Sequence, residues 1–322
     1  MSKRILTFVL PVLVCTVSMV FGQQNQLEKG IQLALAGKYE EAKKVYEEIL
    51  KADERDAAAH YRFGLLLLRR FQNEDDAVDH IQRAIELTPD NADYYMALGQ
   101  AYGEKARKAS IFKQPFLAPK VKSAFEKAAQ IDPKHAGAHI GLAQYYSQAP
   151  GIMGGDMDKA WKEVDIVIGL NEFEGHRLKA QILEREKNIN GAEQEWKLFA
   201  KLRPKDWRVW KLAGYFYLRQ KKTESSLAAF SKYIDLRPDT ADSYDSFAEA
   251  LIQKNDYDKA ETNLKKALAI DKNFKYSIER LAQVYELKGQ KEEARDAYRR
   301  YLALEQDEAK RKLTAEKIRS LQ

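Results

Sequence analysis

The sequence predicts an all-α fold built from stacked helix pairs, and three periodic observations predict it. Ala42, Ala77, Ala160, Ala192, Ala260 and Ala294 recur in near-identical contexts, mostly at or close to a 34-residue spacing. Gly30, Gly64, Gly99 and Gly214 stand about a dozen residues ahead of that register, and Ala143, Ala180, Ala248 and Ala282 fill the same slot in the other units. Pro89, Pro133, Pro204 and Pro238 close units. Two antiparallel helices approach closely only where their crossing point carries no bulky side chain, so Gly or Ala belongs there and larger residues fill the space on either side. A period of this length with small, small, then proline is the pattern of a helix–turn–helix array.

Eight units follow from the register: 23–56, 57–91, 92–135, 136–172, 173–206, 207–240, 241–274 and 275–308. Three residues past the first small position the side chain is large: Leu33, Leu67, Tyr102, Tyr146, Leu183, Tyr217, Leu251 and Tyr285. Four residues past the second stand Tyr46, Ile81, Val164, Trp196, Leu264 and Tyr298, with Phe125 and Phe230 in the equivalent slots. These are the expected knobs between helices. The pattern resembles the tetratricopeptide repeat family, most clearly in unit 2 ("AAAHYRFGLLLLRR…DDAVDHIQRAIELTPDN") and unit 7 ("ADSYDSFAEALIQKNDYDKAETNLKKALAID"). The resemblance covers 23–308 and implies a right-handed superhelical solenoid of about eight repeats, in which each repeat packs on its neighbours. Residues 309–322, "AKRKLTAEKIRSLQ", read as a C-terminal capping helix. Leu313, Ile318 and Leu321 are expected to cover the last repeat, with Lys310, Arg311, Lys312, Lys317 and Arg319 in water.

Residues 1–22 differ in kind. Lys3 and Arg4 precede an apolar run from Ile5 to Phe21, and Val20-Phe21-Gly22 offers a cleavage site, which together describe a secretory signal peptide. A retained anchor is the rival reading, since the run approaches the length needed to span a bilayer; Pro11 and the cleavage pattern favour removal. The preceding Val12-Leu13-Val14, with a bulky valine where lipoprotein processing wants a small residue, disfavours lipidation at Cys15. That cysteine is the single one in the chain, so a mature protein starting at Gln23 has none, which excludes disulfides and thiolate chemistry. The net charge of +6, from 54 basic and 48 acidic residues finely interleaved, reads as solvated helix faces rather than the one-signed stripe that nucleic acid requires. No nucleic acid partner and no stable membrane span after signal removal are expected.

Two units break the period between their first and second helices. Unit 3 carries about ten extra residues and unit 4 about five. Insertions at equivalent points project from one edge of a solenoid, so the two should lie side by side as loops. The first is basic and holds Ile111, Phe112, Phe116 and Leu117, expected to fold back on the repeats. The second runs through Gly154-Gly155-Asp156 into a helix start, where Asp156 or Asp158 suits an N-cap better than a phosphate suits the glycines. Phe112, Phe116, Gly154, Gly155 and Lys159 form the candidate insert site.

Residues for catalysis are not in evidence: no His-Glu-x-x-His, no serine nucleophile elbow and no distinctively spaced carboxylate pair occurs. His60, His139 and His176 share one repeat position with Tyr95, Trp210 and Tyr244, which marks a packing slot rather than a metal site. No cofactor, no metal and no enzymatic activity are expected. What remains is binding, and the resemblance places it in a concave groove lined by first helices. The groove positions read as an apolar zone (Leu27, Ile31, Leu35, Tyr61, Leu65, Leu68), a basic zone (Arg177, Arg185, Arg208, Lys211, Tyr215, Arg219) and an acidic zone (Asp242, Asp245, Glu249, Glu279, Glu286). The Lys and Asn set with which some family members clamp a chaperone's terminal carboxylate is missing. The expected function is a non-catalytic scaffold, exported to the periplasm or secreted, that holds acidic or aromatic peptide or protein segments on the basic zone. The alternative is a ligand-binding protein or enzyme with its site at the inserts, 103–122 and 149–158.

Overall fold

A computed structural model describes residues 25–321. Every regular element among them is helical. Residues 25–35 form α1, followed by α2 (Tyr39–Ala52), α3 (Ala57–Leu66), α4 (Glu74–Leu87), α5 (Ala92–Lys108), α6 (Gln114–Ile131), α7 (Ala136–Gln148), α8 (Met157–Leu170) and α9 (Glu172–Arg185). Then come α10 (Ile189–Leu202), α11 (Trp207–Arg219), α12 (Thr223–Leu236), α13 (Ala241–Gln253), α14 (Tyr257–Ile270), α15 (Lys275–Leu287), α16 (Lys291–Leu304) and α17 (Glu308–Ser320). Two compact units divide the chain, the first ending at Lys187 and the second starting at Asn188. The signal sequence read at 1–22 lies outside the described residues.

Local chemistry sets the helix starts. Asp56, Asn73, Asn91, Asp156, Asn171, Asn188, Asp206, Asp256 and Asp307 each accept a backbone N–H of the turn they precede, satisfying a donor that has no intrahelical partner. The second-helix alanines Ala42, Ala77, Ala160, Ala192, Ala260 and Ala294 are fully buried. So are the knobs Ile81, Val164, Phe230 and Leu264, and Tyr46, Phe125, Trp196 and Tyr298 are nearly so. Each glycine of the first-helix register lies under the knob of its own repeat. A Cβ would stand 2.6 Å from Tyr46 at Gly30, 2.7 Å from Ile81 at Gly64, 2.6 Å from Phe125 at Gly99 and 2.5 Å from Phe230 at Gly214. The 34-residue register therefore reflects steric contact: small residue and knob are chosen together. In repeat 6 Ser226 takes the alanine slot, and its buried hydroxyl donates to the Gly214 carbonyl at 2.9 Å.

Three departures from the period are absorbed in three ways. Repeat 2 is one residue long between Gly64 and Ala77, and the surplus is wound into a π-helical turn at Leu67–Phe71 that ends at Gln72, in the left-handed region (φ 53°). Single-residue insertions into helices take this form. The ten-residue surplus of repeat 3, expected as a loop, instead lengthens both helices, to 17 residues in α5 and 18 in α6. Pro115 fits the first turn of α6, where a missing N–H costs nothing. Repeat 4 spends its surplus on a 3₁₀ turn, Gly151–Met153, and a left-handed Gly154 (φ 91°). At Gly155 a Cβ would lie 1.8 Å from the Ala149 carbonyl oxygen, so that position admits no side chain.

α17 packs on the last repeat through Leu321, which is buried, and Ile318, which is partly so, against Ala282, Ala294 and Tyr298. Leu313, expected to join them, is exposed, and Thr314 is buried instead. Arg311, expected in water, donates to the carbonyls of Leu302 and Glu305 at 2.6 and 2.8 Å, closing the end of α16.

Candidate functional site

In the first unit, the π-helical turn Leu67–Phe71, α5, α6 and α7 line a cavity of about 830 Å3. Gly99, Gly103 and Gly141 form part of its floor, and Leu68, Ala118, Val121 and Phe125 supply apolar wall. Gln100, Gln144 and Gln148 also line it. Among the described residues, none donates to or accepts from those three side-chain amides, so each offers an acceptor and two donors to an occupant. Both inserts contribute to the rim, through Lys108 and Gln114 from the first and Pro150 and Met153 from the second. The expected adjacency of the inserts thus holds, although the first is helix rather than loop.

The rim charges other than Arg69 are paired. Lys108 bonds Glu74 at 2.6 Å, Arg107 bonds Glu104 at 2.6 Å and Lys105 is joined to Asp75. At the candidate insert site Asp156 accepts from the Lys159 backbone at 3.1 Å and its other oxygen lies 3.5 Å from Lys159 Nζ, while that ammonium sits 5.6 Å over the Tyr146 ring. The Lys159 backbone N–H beside it holds the Asp156 carboxyl below its usual range. The carboxylate occupies the helix N-terminus that an anion would use. Tyr145 Oη donates to the Met153 carbonyl, pinning the glycine turn to α7. Phe112 and Phe116 do not fold back: they are 83% and 77% exposed, as is Ile111 at 70%, and only Leu117 is buried.

The apolar groove zone is less open than its sequence positions suggest. Leu65 and Leu68 are buried in the core of the first unit and Leu35 is exposed. Of the basic zone, Arg177 and Arg185 belong to the first unit. Arg177 is held by Glu174 and Gln181, and Arg185 donates to Ser147 at 3.1 Å. Burial pulls the Arg185 pKa down.

The other members lie in the second unit. Arg208 forks onto Asp206, Lys211 bonds Asp242 at 2.6 Å, and Arg219 has an interaction of its own. Tyr215 donates to Ser246 Oγ at 2.9 Å, and burial pushes its phenol up to about 12. The acidic zone likewise turns inward. Asp245 is buried, accepts from Ser277 at 2.7 Å and is bonded to Arg280, which also holds Glu249. Burial raises both carboxyls against the pull of that guanidinium. These side chains fasten one repeat to the next. They face each other across the groove positions rather than an incoming ligand.

His139 is buried with Nδ1 2.6 Å from Glu163 and Nε2 3.0 Å from the Pro133 carbonyl, a packed and hydrogen-bonded ring. His60 and His80 pair through their Nδ1 atoms at 2.8 Å. No group of three or more His, Cys, Asp or Glu among the described residues is arranged to hold a metal. The sequence reading missed the cavity, although its signals were present: Gln100 and Gln144 occupy the same groove position of successive repeats, and Gly103 adds a second glycine to α5.

Two sequence models described as tetratricopeptide repeat match the chain, one at residues 27–92 and 177–241, the other at 251–316. Together they cover more than half of it, and the chain belongs to the tetratricopeptide repeat family. Repeats of this family generally serve as protein-interaction scaffolds rather than catalysts. Among curated proteins the chain is similar to tetratricopeptide repeat protein 37 of Xenopus laevis, 24% identical over 289 residues, with 85% of this chain and 17% of that protein covered. It is also similar to superkiller protein 3 of Schizosaccharomyces pombe, 25% identical over 231 residues, covering 66% of this chain and 15% of that one. The chain thus spans less than a fifth of the length of either relative. A solved tetratricopeptide repeat protein from Parabacteroides merdae shares the fold, with a TM-score of 0.54, 16% identity, and coverage of 81% of this chain and 98% of that one.

Proposed function

We propose that the chain is a non-catalytic adaptor, exported to the cell envelope or beyond, that holds an extended segment of another protein in the cavity lined by the π-helical turn Leu67–Phe71, α5, α6 and α7. The observation that carries the reading is the cavity there, with free carboxamides above a floor of glycine. An extended peptide exposes an N–H and a C=O at every residue, and side-chain amides pair with both regardless of the peptide's charge. The glycines let such a backbone approach closely. Arg177, Arg208 and Lys211 are engaged by carboxylates of this same chain and Arg185 by a hydroxyl, so an acidic or aromatic preference there receives less support than a backbone-directed mode at the cavity.

The test fills the cavity. A Cβ at Gly103 meets no atom within 4 Å, so Gly103→Phe occupies the space without disturbing a packed contact. Tagged wild-type chain and Gly103→Phe are to be used to capture proteins from the native envelope, beside the combined change Arg208→Glu, Lys211→Glu, Arg219→Glu. The expected result is loss of the captured partner with Gly103→Phe and its retention by the charge variant. The opposite pattern returns the site to the basic zone, and equal capture by all three removes the groove as the binding face.

A further inference from the structure

The tip of the α5–α6 hairpin is apolar and strongly exposed. Ile111, Phe112 and Phe116 stand at 70%, 83% and 77% exposure within six residues of one another, and Ile152 of the second insert reaches 95%. The turn bearing Ile152, Gly151–Met153, packs against α6, the helix that begins beneath Phe116. The tip is nevertheless built. Lys113 donates its N–H to the Ser110 carbonyl at 2.8 Å, Phe116 donates to that of Lys113 at 3.2 Å, and Leu117 and Ala118 are buried beneath. The backbone thus holds four large apolar side chains out in water, against the hydrophobic effect that buries most comparable residues elsewhere among the described residues.

Charge narrows what covers them. Residues 105–125 contain no Asp or Glu but carry Lys105, Arg107, Lys108, Lys113, Lys120 and Lys122. Four of these pair with Asp75, Glu104, Glu74 and Glu126. Lys113 and Lys120 bind no carboxylate among the described residues; Lys120 lies 5.4 Å over the Tyr102 ring, and Lys113 is exposed between the two phenylalanines. Residues 148–155, around Ile152, are uncharged. A protein partner would need a cleft shaped to projecting, separately mounted side chains. A bilayer needs no such complementarity, since acyl chains close around each one and anionic headgroups meet the adjacent ammonium groups.

We infer that the two inserts form a peripheral membrane-docking tip that inserts Ile111, Phe112, Phe116 and Ile152 into the interface of a bilayer rich in anionic glycerophospholipid, with Lys113 and Lys120 at headgroup level. No helix among the described residues is long and apolar enough to cross a membrane, so the contact is a surface one. It is independent of peptide capture in the cavity.

Vesicle co-sedimentation of the chain from Gln23 onward tests it, using phosphatidylglycerol–phosphatidylethanolamine vesicles beside pure phosphatidylcholine. The chain should sediment with the anionic vesicles, and added salt should weaken binding because the headgroup contacts are exposed. The combined change Phe112→Ser, Phe116→Ser, Ile152→Ser should weaken binding by about tenfold or more, with helix content unchanged because all three are exposed. Lys113→Glu should weaken it about fivefold. In Phe116→Trp, vesicles should shift the added tryptophan's emission to the blue, and brominated lipid should quench it. Failure to bind anionic vesicles, equal binding to phosphatidylcholine, undiminished binding by the triple variant, or an unshifted tryptophan would each overturn the inference.

Discussion

Gly103 and Gly141 line the same cavity, yet a methyl group has opposite meaning at each. At Gly141 a Cβ would lie 2.5 Å from the Phe125 ring, and that ring is held from the other side by Gly99, whose own Cβ would come within 2.6 Å. The ring has nowhere to go, so Gly141→Ala should destabilise by about 1–3 kcal/mol through overpacking. Gly103 sits inside α5 with open space around it. Gly103→Ala should therefore stabilise by about 0.5–1 kcal/mol, because alanine loses less backbone entropy on entering a helix. Urea unfolding followed by circular dichroism separates the two, the midpoint moving in opposite directions. A shift of the same sign in both would mean that Phe125 is not clamped between α5 and α7.

At the scale of elements, the junction of α16 and α17 rests on one carboxylate. Glu305 is buried and accepts from Tyr301 Oη at 2.7 Å, from the backbone of Gln306 and Asp307 at 2.9 and 3.0 Å, and from Lys275 Nζ at 3.2 Å. The Asp307 backbone N–H is the largest influence and the Tyr301 hydroxyl the next; with Lys275 and the Gln306 N–H they hold the carboxyl down to about 2. The folded pKa is below the unfolded one, so the folded state loses stability as protons bind. The contribution is fully present above about pH 5, where the unfolded carboxyl is also ionised, and fades as pH falls toward 2. Glu305→Ala should cost about 2 kcal/mol or more near neutrality, from lost charged hydrogen bonds. It should also flatten the acid side of the stability profile, as measured by thermal unfolding between pH 3 and 7. An unchanged acid limb would remove Glu305 from that role. The capping helix was legible in the sequence from Ile318 and Leu321, but its fastening was not. An isolated Glu in "ALEQDEAK" carries no pattern, and its partners lie as far away as Lys275. Similarly, the surplus in repeat 3 with Pro115 and Pro119 read as a loop, whereas Pro115 falls in the first turn of α6.

Over the whole chain, the fold was legible because the small-residue and knob register is repeated in every unit, so no single substitution erases it. The site was not legible in the same way. Whether a groove-facing Lys or Arg is free depends on a partner some thirty residues away, as with Lys211 and Asp242, and the repeat pattern constrains neither identity. The proposal of export rests on residues 1–22 alone: a basic start, an apolar run from Ile5 to Phe21 and a compact residue, Gly22, at the cleavage point. It predicts that protein recovered from the compartment outside the cytoplasmic membrane begins at Gln23 and contains no cysteine. Intact-mass spectrometry checks both, since the mature chain lacks the mass of residues 1–22 and takes up no thiol reagent. A recovered species that keeps those residues and reacts at Cys15 would mean that the apolar run is an uncleaved anchor. The repeats would then stand at the membrane by a covalent tether, and the vesicle experiment on the chain from Gln23 would still report the hairpin tip separately.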